Sequence, residues 1–274
     1  MEQVKEPQLT KNVGLAMGKP DYGNWVSRRL IYVFGILGLI FIVVSLLAVF
    51  VGQDLVALPF IVLAVLSLFI AVYFIYARYL FSPRSKNVQD RVWNLVMDHL
   101  EWNGDGRVLD IGCGNAALTI KVAKKYPKAQ IVGIDYWGKN WEYGKRTCDK
   151  NAAIEGVSDR VTFRQASASK LPFEDESFDV AVSNLTFHEV RDVKDKREIV
   201  REALRVVKKG GIFVFQDLFL IKQAYGDTDD LVRTIEGWGI EKAEFIKTRD
   251  EPFIPRALKL PFMVGTMGII AGKK

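Results

Sequence analysis

The distribution of apolar and polar residues divides this chain into two unlike parts. Between Leu30 and Gln53, and again between Leu55 and Ala77, no charged residue occurs, and Asp54 alone separates the two runs. As helices, these runs would each be roughly 35 Å long, whereas bilayer hydrocarbon is about 30 Å thick. The runs therefore predict two membrane-spanning helices joined by a tight turn. A cleavable signal peptide would instead have one shorter apolar core.

The rest of the chain shows short strand and helix periods in alternation, after a first predicted helix within residues 87–102. Predicted strands cover residues 107–111, 130–134, 161–165, 179–184, 212–217, 242–248 and 263–271, and predicted helices cover residues 117–126, 141–153, 194–208 and 227–238. Such alternation favours a parallel sheet with helices on both faces. Only about a dozen proline-rich residues join the last two strands, so no crossover helix fits and we expect them to pair antiparallel.

Two glycines follow the first predicted strand. Gly112 and Gly114 stand where the chain must turn sharply into a helix, and glycine lets backbone amides approach a ligand closely. The start of that helix directs free N–H groups to the same place. The second strand ends about 20 residues later in Asp135, where a carboxylate would meet ribose hydroxyls. The pattern predicts a site for a nucleotide-like ligand.

The residue before this turn discriminates between two classes of cofactor. The spacing Gly112-x-Gly114-x-x-Ala117 also satisfies the loose dinucleotide pattern. Asp110, however, would place a negative charge beside the turn and repel a pyrophosphate. S-adenosylmethionine has no phosphate and carries an ammonium and a sulfonium group, which a carboxylate attracts.

At this point the chain resembles the class I S-adenosylmethionine-dependent methyltransferases, whose first motif runs hydrophobic-hydrophobic-acid-x-Gly-x-Gly, as Val108 to Gly114 do. The resemblance covers about residues 88–274. It implies an α/β fold, a Rossmann-like doubly wound seven-stranded sheet, mostly parallel with an antiparallel C-terminal strand; the transmembrane hairpin lies outside it. The implied cofactor-binding residues are Asp110, Gly112, Cys113, Gly114, Asp135, Tyr136, Ser167, Ala168 and Asn184.

Two positions depart from the family's pattern. Ser167 stands where the family commonly has an aspartate that binds the adenine amino group, so the resemblance implies a weaker adenine contact there. Ala116 is the second departure. Tyr136 and Trp137 follow Asp135, and either ring could cover the base or pack under the next loop.

The exit of the fourth strand is where the family places residues near the transferred methyl group. His188 lies there, and its ordinary pKa suits a general base for an oxygen or carbon-acid nucleophile. We therefore predict His188 as the catalytic residue, with a hydrogen-bonded structural histidine as the alternative. Glu189 is expected to be solvated.

Several aromatic residues allow two interpretations each. Tyr22 and Trp25 precede the first apolar run, where they could be anchors at a membrane interface or part of a flap over the active site. Trp141 and Tyr143, after the second strand, could line the acceptor pocket or pack in the core.

Composition narrows the classes of function and of partner. The chain has 274 residues, a net charge of +6, two cysteines and two histidines, too few for a disulfide framework or a zinc site. The basic runs Lys124-Lys125, Lys194–Arg197 and Lys208-Lys209 fall on predicted helices and lack interleaved aromatic residues that would stack on bases. No nucleic acid partner is therefore expected.

Basic residues flank the predicted hairpin on both sides, and its turn has none. Lys5, Lys11, Lys19, Arg28 and Arg29 precede it, and Arg78, Arg84, Lys86 and Arg91 follow it. The positive-inside bias predicts an integral membrane protein with both termini and the catalytic domain in the cytoplasm.

Together these features predict three segments: a cytoplasmic N-terminal segment at 1–29, a two-helix transmembrane hairpin at 30–80 and a methyltransferase domain at 81–274. A short linker would hold the active site near the bilayer surface, so we expect a lipid-soluble or membrane-associated small-molecule acceptor. Two other hypotheses stay open, a membrane-tethered NAD(P)-dependent oxidoreductase and a non-catalytic cofactor-binding scaffold.

Overall fold

A computed structural model describes residues 18–138 and 144–274 of the chain. Its first two elements are long apolar helices, α1 (Arg28–Phe50) and α2 (Asp54–Phe81). Only 17% and 22% of their most apolar stretches are buried, so neither helix is enclosed by the rest of the described chain. Small residues allow the close approach of the two helices: a Cβ added at Gly38 would lie 2.7 Å from Leu68 Cδ2. Length and composition suit both helices to crossing a membrane.

The remaining elements form a three-layer α/β domain. In chain order they are α3 (Val88–Asp98), β1 (Arg107–Ile111), α4 (Ala117–Lys125), β2 (Gln130–Asp135), α5 (Lys145–Ile154), β3 (Val161–Gln165), β4 (Phe178–Asn184), α6 (Arg197–Arg205), β5 (Val207–Asp217), α7 (Lys222–Tyr225), α8 (Thr228–Glu236), β6 (Lys242–Ile246) and β7 (Gly268–Lys273). Short 3₁₀ turns cover Phe187–Glu189, Thr248–Asp250 and Arg256–Leu258.

The sheet confirms the predicted fold class. Its strand order is β3-β2-β1-β4-β5-β7-β6. The first five strands run parallel, and β7 lies antiparallel between β5 and β6. The carboxyl ends of β1, β2, β4 and β5 therefore open on one edge of the sheet, which we call the carboxyl edge.

Some element boundaries differ from the sequence-based expectation. Strand β5 begins at Val207, so Lys208 and Lys209 lie on a strand and not on a helix. The glycine pair after them does not end a helix. It forms a bulge in β5, because Phe178 pairs with Val207 and Val180 pairs with Ile212.

At the C-terminus, β7 begins at Gly268, and the residues predicted to start this strand near 263 form turns instead. Four residues named in the predictions, Lys5, Lys11, Trp141 and Tyr143, lie outside the described residues.

A separate apolar cluster joins the helical hairpin to the domain. We call it the junction cluster; its buried members are Val26, Ala77, Leu80, Phe81, Val88, Val92, Ile254, Leu258, Val264 and Met267. Trp25 packs edge-on against Phe81 and Trp93, with ring centroids 5.4 and 5.8 Å away, and Tyr22 packs against Trp93 at 6.1 Å. Both rings therefore pack against the domain, and their role as anchors at a membrane interface stays a prediction.

Candidate active site

The glycine turn lies at the carboxyl edge, between β1 and α4. The N–H groups of Gly112 and Cys113 both donate to the carbonyl of Ile134, at 2.7 and 2.9 Å. These two amides are thus satisfied by the end of β2 and do not face a ligand, contrary to the expectation from the sequence. The turn is nevertheless held rigidly against the strand that carries Asp135.

Gly112 is required by packing as well as by conformation. Its φ of +77° lies in the left-handed region, and an added Cβ would collide with the side chain of Thr186. Thr186 follows β4 and donates to the carbonyl of Ile111 at 3.1 Å. The glycine therefore lets the exits of β1 and β4 approach each other.

Asp135 connects the end of β2 to the glycine turn. Its carboxylate accepts from the N–H of Gly114 at 2.9 Å and from the N–H of Trp137 at 2.8 Å. Burial raises the pKa of Asp135, and these backbone bonds oppose the rise. Because a carboxylate has about four acceptor positions, these backbone bonds leave Asp135 able to accept from a ligand hydroxyl.

The aromatic residues after Asp135 have different environments. Tyr136 is 68% exposed, so its ring is free to cover a ligand at the edge. Trp137 turns back, and its indole Nε1 donates to the carbonyl of Gly114 at 3.1 Å. Of the two, Tyr136 is the ring available to a base.

Asp110 lies beneath the start of α4 and does not stand open beside the turn. It is 1% exposed and accepts from the hydroxyl of Thr119 at 2.5 Å. Burial raises its pKa to about 7, although the bond from Thr119 opposes this. Its second carboxylate oxygen, Oδ1, is buried and has no protein partner among the described residues.

Two further buried oxygens at the same edge share this property. The Oδ1 atoms of Asn115, after the glycine turn, and of Asn184, at the end of β4, have no partner within the described part of the chain. Leaving buried acceptors unpaired is costly, so such groups mark a place where a ligand brings donors. S-adenosylmethionine brings an ammonium group, two ribose hydroxyls and an adenine amine. A dinucleotide shares the ribose and adenine donors, but its pyrophosphate brings only acceptors where S-adenosylmethionine has its sulfonium and ammonium groups. The residues at this edge therefore fit S-adenosylmethionine.

Ser167 and Ala168 follow β3 at the same edge. The hydroxyl of Ser167 lies 2.8 Å from the hydroxyl of Ser169, and Ala168 is buried. The Ser167 hydroxyl is therefore already engaged within the protein, which agrees with the weak adenine contact expected there.

Cys113 contributes its small buried side chain to the wall of the turn. Its pKa is raised well above the ordinary value by burial and by the neighbouring Cys148 thiol. Cys148 itself donates to the carbonyl of Gly114 at 3.1 Å. Both thiols thus serve to pack the turn.

His188 lies in the 3₁₀ turn after β4, between two carboxylates. Its Nδ1 is 2.6 Å from Asp217 Oδ1, and its Nε2 is 3.4 Å from Glu189 Oε1. Burial lowers the pKa of His188, but the charge and hydrogen bond of Asp217 outweigh burial and raise the pKa to about 10. The ring is therefore an imidazolium at neutral pH, and it lacks the ordinary pKa from which a base role was predicted.

Asp217 organises this turn from the end of β5. It is fully buried, and its Oδ2 accepts from the N–H of Phe187 at 2.6 Å. Its Oδ1 also accepts from the N–H of Leu218 at 2.6 Å. Sequence reasoning missed Asp217, although an acid at the end of a buried strand is the signal that identified Asp135.

A second missed residue links the N-terminal segment to the glycine turn. The side chain of Asn151, on α5, is fully buried; it accepts from the N–H of Asp21 and donates to the carbonyls of Asp21 and Asn115, all at 2.9 Å. The hydroxyl of Tyr22 donates to Glu155 at 3.1 Å. Asp21 is thus linked through Asn151 to the residue that follows the glycine turn, and a flap over the active site stays a prediction.

Comparison with known proteins finds one matching family profile and several similar proteins. The profile described as "Methyltransferase domain" matches residues 103–246. The 27-O-demethylrifamycin SV methyltransferase of Amycolatopsis mediterranei is 35% identical over 155 residues, which cover 57% of this chain and 54% of that protein. The ubiquinone/menaquinone biosynthesis C-methyltransferase UbiE of Geotalea daltonii is 30% identical over 124 residues, 44% of this chain and 50% of that protein.

One solved structure has the same fold. The geranyl diphosphate C-methyltransferase of Streptomyces coelicolor, in complex with Mg²⁺, geranyl diphosphate and S-adenosyl-L-homocysteine, matches with a TM-score of 0.52 and 15% identity. The match covers 68% of this chain and 79% of that one. The chain spans about half the length of the curated relatives it matches.

Proposed function

The chain belongs to the methyltransferase-domain family, whose cofactor is S-adenosylmethionine, and on this premise we propose that it methylates a lipid-soluble small molecule at a membrane surface. The observation that carries the cofactor assignment is a set of buried oxygens at the carboxyl edge, from Asp110, Asn115 and Asn184, that have no partner among the described residues. A donor-rich cofactor suits them. A dinucleotide would bring its acceptor-only pyrophosphate to the same oxygens, which disfavours the NAD(P)-dependent alternative.

The residues at the edge divide the task of holding this cofactor. Asp135 would bind the ribose hydroxyls, Tyr136 would cover the base, and Ser167 with Ala168 would line the adenine end. The turn from Gly112 through Cys113 to Gly114 would form the floor. When bound, S-adenosylmethionine supplies an electrophilic methyl group on a sulfonium, so alignment of the acceptor provides most of the catalytic gain.

His188 acts in this proposal as a fixed positive charge. Asp217 keeps the ring protonated and holds Nδ1, which leaves the Nε2–H to be shared between Glu189 and an incoming acceptor. An acceptor oxygen that develops negative charge would be stabilised there by a charge-assisted hydrogen bond. The catalytic assignment of His188 thus stays, with the role of electrostatic stabiliser in place of general base.

The proposed acceptor follows from the hairpin and from the relatives. The relatives' names refer to quinone biosynthesis and to a rifamycin, which are small organic molecules. Helices α1 and α2 would fix the domain to a bilayer, where lipid-soluble acceptors are concentrated. The flanking bases favour the cytoplasmic side for both termini and for the domain.

The test is binding and transfer by the full chain in lipid vesicles. Calorimetric titration should show binding of S-adenosylmethionine and none of NAD, and methyl-labelled cofactor should transfer label to a membrane lipid extract. Asp135→Ala should weaken binding of the cofactor and slow the transfer, while Asp149→Ala, which removes an exposed acid on α5, should leave both unchanged. Binding without transfer to any lipid fraction would favour the non-catalytic scaffold, and binding of NAD alone would refute the cofactor.

A further inference from the structure

The connection between β6 and β7 presents an apolar turn at its surface. Leu260 is 38% exposed and Phe262 is 65% exposed, with Pro261 exposed between them. We call Leu260–Met263 the docking turn. Large exposed apolar side chains at the tip of a turn are unfavourable in water and indicate a contact with another phase or partner.

The docking turn lies directly beside α2. The hydroxyl of Tyr73 donates to the carbonyl of Ala257 at 2.9 Å, and the ring centroids of Tyr73 and Phe262 are 6.0 Å apart at an interplanar angle of 70°. Tyr73 belongs to the charge-free run and precedes its end at Ala77 by about one helical turn, roughly 6 Å. Phe262 therefore lies level with the last turn of the apolar run.

Aromatic and basic residues surround this level. Tyr76 and Tyr79 of α2 are 49% and 51% exposed, which is the arrangement of an interfacial aromatic belt. Arg256 and Lys259, before the docking turn, are exposed and would meet anionic head groups.

The backbone of the docking turn can enter an interface at low cost. The carbonyl of Leu260 accepts from the N–H of Met263 at 2.9 Å and from that of Gly265 at 3.0 Å. The carbonyl of Pro261 accepts from the hydroxyl of Thr266 at 3.0 Å, and proline has no N–H to satisfy. The carbonyls of Leu260 and Pro261 and the N–H of Met263 thus have partners within the chain, which lowers the cost of placing them in an apolar environment.

We propose that the docking turn inserts into the interfacial layer of the bilayer beside α2, which gives the domain a second membrane contact. The inference rests on the proposed function in one respect, that the hairpin spans the bilayer. Because Ile246, Asp217 and Gly268 end or begin their strands at the same edge, the β6–β7 connection lies on the carboxyl edge. The inserted turn would therefore hold the cofactor site toward the lipid.

The test uses the full chain in vesicles of phosphatidylcholine and phosphatidylglycerol, with a polarity-sensitive fluorophore on an introduced cysteine. The variants are Phe262→Cys and, as a matched control, Lys128→Cys, an exposed position at the opposite edge of the sheet before β2. Leu260→Cys is the second reporter should the first variant fold poorly. The native cysteines are buried, so the introduced thiol takes the label.

We expect the label at position 262 to be quenched several-fold more by a quencher attached to the upper acyl chain than the label at 128, and to be shielded from aqueous iodide. Suppose that iodide quenches both labels equally and that alkaline washing does not extract the protein from the vesicles. This result would refute insertion of the docking turn and would leave the spanning hairpin unaffected. Release of the protein by that wash would instead refute the claim that the hairpin spans the bilayer, and insertion of the docking turn with it.

Discussion

The positive charge on His188 depends mainly on one neighbouring carboxylate, so a single substitution can test it. The perturbation is Asp217→Asn, which removes the carboxylate that lies 2.6 Å from the Nδ1 of His188. In the variant, burial would act on the imidazole with only the longer 3.4 Å contact to Glu189 opposing it. We therefore expect the pKa of His188 to fall from about 10 back toward or below the ordinary value of a histidine.

The size of the pKa shift of His188 gives the free energy with which the site favours the protonated ring. A pKa raised from 6.5 to about 10 corresponds to roughly 5 kcal/mol in favour of the protonated form, at about 1.4 kcal/mol for each pH unit. Because the folded-state pKa exceeds the unfolded value, this stabilisation is fully present below pH 6.5 and is lost as pH rises through about 10. In Asp217→Asn that pH dependence should disappear.

The assay is proton or carbon NMR of ring-labelled histidine in the detergent-solubilised full chain. The chain has only two histidines, so His188→Gln assigns the two signals, His99 providing the other. Denaturation measured from pH 6 to pH 10 supplies the stability profile. A His188 signal in the wild type that titrates near 6.5 would refute the imidazolium and restore the general-base role.

Four further predictions concern the cofactor turn, the N-terminal segment and the topology. Asp135→Ala should weaken S-adenosylmethionine binding in calorimetry by roughly 1.5–3 kcal/mol, because it removes charge-assisted bonds to the ribose; unchanged affinity in a folded variant would sink the assignment. Gly112→Ala should destabilise the domain by at least about 1–2 kcal/mol, from its positive φ alone, and a wild-type melting temperature would contradict this. Asn151→Ala should cost about 1–3 kcal/mol and make the segment before α1 more sensitive to protease, with no change in sensitivity counting against the link. In intact cells a cysteine at Lys273 should be shielded from an impermeant reagent and one at Gln53 should react, whereas the reverse would invert the topology.

The fold could be predicted from the sequence because local patterns and topology rules agree. Strand 107–111 lies between two glycines and is buried after its first residue, and strand 161–165 alternates buried and exposed positions over its first four residues. The alternation of such strands with helices leaves few topologies. The predicted start of β5 at residue 212 was wrong because Gly210-Gly211 resembles the end of a helix, whereas the strand begins at Val207. In the structure these glycines form a bulge, which only pairing with β4 specifies.

The sequence predicts which strand ends form the site. It does not predict which side chains at those ends bond to one another. Glycine spacing and a distal acid identify the cofactor turn, since both are encoded within one βαβ unit. The pairing of His188 with Asp217 joins residues 29 positions apart, one in the turn after β4 and one at the end of β5. The direction of a histidine's pKa shift depends on such a partner. The same limit applies to Asn151, whose contact with Asp21 spans 130 positions.

Packing at the junction changes what the hairpin is expected to do. A flexible tether would raise the concentration of enzyme near its acceptor and leave the orientation of the domain free. Here Phe81 at the end of α2 is buried with Val88, Ile254 and Leu258, so the packing crosses the boundary between residues 80 and 81. With Tyr73 also bonded to the β6–β7 connection, helix α2 acts as a rigid mount for the domain. If the hairpin spans a bilayer, the tilt of α2 therefore sets the direction in which the cofactor site faces, and lengthening the connection between α2 and α3 would disturb orientation more than local concentration.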